Sequence, residues 1–110
     1  MRENYTAILV QGEEWSGTCV SEPYEAPWAA EAVVFLRLLD GTTAPAGLRA
    51  RVQISPDGMH WVDEGTEVAI PTGPEVTFAR VSHFGQYLRL AADLPAGTRF
   101  TLLATLNLKS

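Results

Sequence analysis

The sequence predicts an all-β domain, a single antiparallel β-sandwich or barrel of about eight short strands. Three observations carry this. First, Leu48, Ala50, Val52 and Ile54 alternate with Arg49, Arg51, Gln53 and Ser55, and a period of two puts one set on each face of a strand. Second, Ser55-Pro56-Asp57-Gly58 follows at once. Proline presets φ, aspartate bonds nearby backbone and glycine accepts positive φ, so the chain reverses into a return strand at Trp61. Third, turn clusters recur between short apolar runs at the roughly 8–12-residue spacing of sandwich strands.

Each element follows from local chemistry. Tyr5–Gln11 reads as a first strand ending at Gly12, and Trp15–Val20 as a short second one. Ser21–Trp28 contains Pro23 and Pro27 and reads as extended, irregular coil. Residues 1–30 are therefore expected to be a partly irregular acidic segment of the single 1–110 domain. The run Ala29–Leu39 contains good helix formers, but Val33, Val34 and Phe35 favour a strand, which Asp40-Gly41 ends as a turn. Gly41–Gly47 is a loop into the Leu48–Ser55 strand. After the hairpin come Trp61–Val62, Thr66–Ile70, Val76–Ser82 and Gln86–Ala91. Asp93–Gly97 makes the last turn. In the closing strand, Phe100, Leu102, Ala104, Leu106 and Leu108 alternate with Thr101, Leu103, Thr105 and Asn107.

Composition narrows the class. With 110 residues, 46% of them hydrophobic, the chain is large enough for one core and too short for two. No apolar run approaches the ~20 residues of a membrane helix. The N-terminus lacks an apolar stretch of the secretory type, so the expected location is the cytoplasm or a virion-like particle. Cys19 is the only cysteine, and a lone thiol in this setting reads as a small buried hydrophobe.

The net charge of −5 disfavours nucleic acid as a partner, because phosphate binding needs a basic face. No basic residue lies between Arg2 and Arg37, while Glu3, Glu13, Glu14, Glu22, Glu25 and Glu31 all fall there. From Arg37 onward the charges balance, and the only lysine is Lys109.

Two motifs carry a resemblance over roughly residues 47–108. Ser55-Pro56-Asp57-Gly58-Met59-His60-Trp61 resembles the S-x-D-G-x-x-W hairpin of discoidin-like (galactose-binding-like) domains. Phe84-Gly85-Gln86-Tyr87-Leu88-Arg89-Leu90 resembles the aromatic–small–x–Tyr–apolar–Arg strand that follows it there. The pair also looks like small β-sandwich structural proteins of phages and other particles. The resemblance implies a jelly-roll-like sandwich.

No catalytic or metal constellation stands out. His60 and His83, the two histidines, sit in no metal-ligand spacing, and no nucleophile elbow surrounds Ser16 or Ser82. Nothing local activates Cys19, whose acidic neighbours oppose thiolate formation. Asp57, Asp63, Glu64 and Glu67 lack EF-hand spacing and suit turns and solvated faces. Trp15, Trp61, Tyr5 and Tyr87 suit core or cross-strand roles.

The expected function is a non-enzymatic structural module that self-associates or decorates a larger, phage-type assembly without a cofactor. Its partner is expected to be protein, with neither nucleic acid nor membrane involved, and a discoidin-like carbohydrate-binding module is the alternative. The candidate partner-binding residues are Trp28, Tyr24, Arg49, Arg51, Arg80 and Arg89. Trp28 and Tyr24 lie in the proline-punctuated stretch. The arginines could form one basic sheet face, because arginine is favoured at interfaces and edge-blocking lysine is scarce. The acidic first third could lie across that face, on its own subunit or on a neighbour.

Overall fold

A computed structural model describes residues 4–110; Arg2 and Glu3 of the acidic segment lie outside them. The described chain is all-β and builds two packed antiparallel sheets from nine strands: β1 (Asn4–Ser16), β2 (Thr18–Val20), β3 (Tyr24–Glu25), β4 (Glu31–Leu39), β5 (Arg49–Ser55), β6 (Val62–Ala69), β7 (Thr77–Ser82), β8 (Tyr87–Asp93) and β9 (Arg99–Lys109). One sheet has the order β1-β9-β4-β7. The other has the order β2-β8-β5-β6, with β3 also pairing β8. If β2 and β3 count as one interrupted strand, the two orders are those of a jelly roll, with every connection except β5–β6 passing between sheets. The fold is the β-sandwich expected.

The core lies between the sheets. Phe100, Leu102, Ala104, Leu106 and Leu108 of β9 point inward, as do Ala32, Val34, Leu36 and Leu38 of β4. They meet Ala50 and Val52 of β5 and Leu88, Leu90 and Ala92 of β8. Trp15 pairs with Phe100 at one end of this layer and is 2% exposed.

Four segments depart from the sequence-based expectation. β1 does not stop at Gly12. It runs 13 residues beside β9, with register shifts at Ile8/Val10 and Gln11/Glu13. Gly12, at φ 68°, absorbs the second irregularity, and Leu9 and Val10 are both buried at the first. The chain therefore turns at Gly17, and Trp15 belongs to β1 rather than to a second strand. The proline-rich segment is more regular than coil: Tyr24 and Glu25 pair with Leu88 and Tyr87. β6 is one strand rather than two, passing through Gly65 at φ 115°.

The fourth departure is at the hairpin. The predicted alternation holds from Ala50 to Gln53, but Ser55 is buried and Ile54 only half-buried. The β5–β6 register shifts between Arg51 and Gln53. Ser55 Oγ then accepts the Asp57 and Gly58 N–H groups at 3.2 and 2.8 Å and donates to Asp57 Oδ1 at 3.0 Å. A serine turned inward to close its own turn replaces an apolar contact.

Candidate functional site

The outer faces of the two sheets differ in kind. On the five-stranded sheet, Arg49, Arg51 and Gln53 of β5 and Arg89 of β8 alternate with buried residues and come together on the outer face. Arg51 Nη1 lies 2.9 Å from Asp93 Oδ2, and its Nε lies 3.5 Å from Asp63 Oδ1. Arg49 reaches Glu67 at 4.0 Å. Arg89 Nε donates to Gln53 Oε1 at 2.8 Å, and its guanidinium stacks 4.2 Å from the Trp61 ring centroid. Gln86 donates to Glu25 at 2.6 Å along the same margin. The carboxylates paired with Arg49 and Arg51 thus come from β6 and β8, not from an overlying N-terminal segment.

Arg80 is not beside these arginines. It lies on β7, at the edge of the opposite sheet, because the jelly-roll crossover carries β7 away from β6. There its guanidinium sits 5.1 Å from the Phe78 ring centroid. Tyr24 is half-buried and packs against the core, and Trp28, 39% exposed, lies in the turn after β3. The structure therefore distributes the six candidate residues over three places.

The outer face of the four-stranded sheet is apolar at its centre. Register aligns Ile8 with Thr105, Thr105 with Phe35, and Phe35 with Phe78. One row thus crosses all four strands. Ile8 is 50% exposed, Phe35 37% and Phe78 52%. The two rings stand 6.2 Å apart, tilted by 38°. The next row holds Thr6, Asn107, Val33 and Arg80, and Leu103 and Arg37 pair on the other side. Asn107 donates to Asn4 and Thr6 at 2.9 and 3.2 Å. A shallow depression of about 340 Å³ beside Val33 and Arg80 extends to Ser82 and Lys109.

Ile8, Phe35 and Phe78 are not among the residues that the sequence alone singles out. A signal does exist in β4. Its inward set is Ala32, Val34, Leu36 and Leu38, and its outward set begins Val33, Phe35. A strand apolar on both faces is usually covered on both.

The remaining reactive groups lie in turns, in a loop and on an edge strand. The Asp57 carboxylate accepts the His60 and Met59 N–H groups, both at 2.9 Å, and meets the His60 ring at 2.7 Å. These bonds hold its pKa far below the usual carboxylate range. Burial, then the charge of Asp93, pushes the Cys19 thiol up despite an opposing backbone bond from Ser16. His83 occupies the β7–β8 loop at φ 54°, beside an apolar depression of about 430 Å³ lined by Ile54, Pro56, Val62 and Phe84. No group of three or more His, Cys, Asp or Glu among the described residues is placed to hold a metal.

Fold and surface together define a jelly-roll module with one charged face and one apolar face. The chain belongs to the family described as a domain of unknown function (DUF6385), whose model matches residues 41–105. No curated protein matches it. Among solved structures, the SPBc2 prophage-derived protein YomS superposes with a TM-score of 0.62 at 6% identity, covering 100% of this chain and 96% of that one. FlhE superposes with a TM-score of 0.49 at 16% identity, covering 99% and 95%.

Proposed function

We propose that the chain is a non-catalytic structural module of a larger protein assembly, docking protein through the outer face of its four-stranded sheet. The observation that carries this reading is the Ile8–Phe35–Phe78 row. Large apolar side chains aligned across a sheet and left in water are costly to solubility, and such patches mark interaction sites. Arg80 borders the row, and arginine beside aromatics is the composition favoured at interface centres. A phage-type particle is the setting we favour, on the strength of the fold shared with a prophage-derived protein.

The opposite face suits docking less well, because Arg49 and Arg51 already pair with carboxylates of their own sheet. A carbohydrate role would need free aromatic faces. Arg89 covers one face of Trp61 and Tyr24 packs on the core, so such a role would fall mainly to Trp28. Photo-crosslinking in the native host tests the proposal. A benzophenone amino acid at position 78 should give a covalent protein adduct, and one at position 67 on the other sheet should not. Adducts only from position 67, or from neither, would reject it.

A further inference from the structure

We infer that the occupant of this face is a second copy of the same chain, set face to face about a two-fold axis running along the strands between β9 and β4. This rests on the docking reading above and names its partner. A two-fold interface must be self-complementary, whereas an unrelated partner imposes no such condition. The outer rows meet that condition.

Rotation about this axis lays β9 over β4 of the second copy and β1 over β7, so each row meets itself reversed. In the central row, Ile8 then faces Phe78 of the second copy, and Thr105 faces Phe35. In the row of Asn4, Lys109, Glu31 and Ser82, Lys109 faces Glu31 of the other copy, and the pair occurs twice. In the row of Thr6, Asn107, Val33 and Arg80, Arg80 faces Thr6. Arg37 faces Leu103. No row sets like charges against each other, and like-charge juxtaposition disfavours association. A two-fold running across the strands would instead bring Lys109 toward Thr101 and Glu31 toward Leu39, which forfeits both Lys109–Glu31 oppositions.

Size agrees. Four strands at ~4.8 Å and about nine residues at ~3.3 Å give a face of roughly 600 Å² in plan. Side-chain relief raises its accessible area toward the ~800 Å² per partner of a standard interface. Aligned sheet packing at about −30° keeps the central rows opposed.

Sedimentation velocity of the purified full chain, from micromolar to high-micromolar concentration, tests this. The expected result is a species of twice the 12.0 kDa chain mass. Phe78→Asp places a carboxylate against Ile8 of the second copy and should weaken dimerisation by about 100-fold or more. Ile8→Lys is the second variant, should the first fold poorly, with far-ultraviolet circular dichroism as the check on folding. Arg49→Ala with Arg51→Ala should leave the dimer intact. A wild-type chain that stays monomeric throughout would overturn the two-fold while leaving the crosslinking test of docking to stand on its own. A dimer indifferent to both Phe78→Asp and Ile8→Lys would overturn the two-fold as well, and the docking reading would again be decided by the crosslinking test.

Discussion

Ser21 marks the point where the strand beside β8 breaks, and its side chain takes over part of the ladder. Its N–H donates to the Leu90 carbonyl at 2.8 Å, and its Oγ accepts the Leu90 N–H at 2.8 Å and donates to the Glu22 carbonyl at 3.1 Å. Ser21 is 4% exposed, and Leu90 is fully buried. In Ser21→Ala the Leu90 N–H loses its acceptor in a site water does not reach. The change removes one oxygen and no apolar contact, so the hydrogen-bond effect stands almost alone. A buried donor left unpaired costs about 1–3 kcal/mol, and we expect about 2. With a urea m-value of about 2 kcal/mol per molar, the unfolding midpoint should fall by about 1 M with the slope unchanged. Ser82→Ala, at an exposed position, serves as the reference and should change stability by less than about 0.5 kcal/mol. If Ser21→Ala also costs less than that, the side chain is not the acceptor that joins β2 to β3, and the reasoning is refuted.

Other predictions address the core, the turn and the thiol. Val52→Asp should abolish folding by burying an unpaired charge, whereas Arg49→Ala with Arg51→Ala should leave a folded chain at a cost of about 1–2 kcal/mol, from exposed ion pairs only; circular dichroism and urea unfolding distinguish them. Leu106→Ala should cost about 2–5 kcal/mol, the value for a buried leucine, while Phe78→Ala should cost about 1, for a half-exposed aromatic pair. The Asp57 carboxyl is held below its unfolded value of about 3.9. Its contribution to the turn is therefore complete above that pH and is lost as pH falls toward the folded value. The protection of the Met59 and His60 amides, measured by nuclear magnetic resonance as exchange relative to the intrinsic rate at each pH, should fall only in acid, and a fall already between pH 5 and 7 would contradict the bonding described. Cys19, with its pKa raised, should react slowly with iodoacetamide at neutral pH and faster only well above the ordinary thiol range, and fast neutral labelling would contradict its placement.

Legibility in the sequence followed the range of the interactions involved. β4 and the alternating face of β9 were readable because strand burial is written in a period of two. Ser55 misled because the same period continued on paper, while its hydroxyl had a stronger local use in closing the turn. β6 looked like two pieces because Gly65 interrupts the pattern, yet glycine tolerates the backbone that keeps the strand continuous. Composition groups Arg80 with Arg49 and Arg51, and only the crossover between sheets separates them. The apolar row depends on three pairings between distant strands. Phe35 could have been flagged from β4 alone, but its alignment with Ile8 and Phe78 belongs to the register of the whole sheet.

The most direct test of the docking account is hydroxyl-radical footprinting, which reads side-chain exposure residue by residue. Dilute monomer is compared with the associated protein, at high concentration or within its native assembly. The account predicts that Phe35 and Phe78, both solvent-accessible in the single chain, become protected, while Met59 and Trp28 oxidise as before. Unchanged oxidation of Phe35 and Phe78, with protection of Trp61 or Trp28 instead, would contradict it.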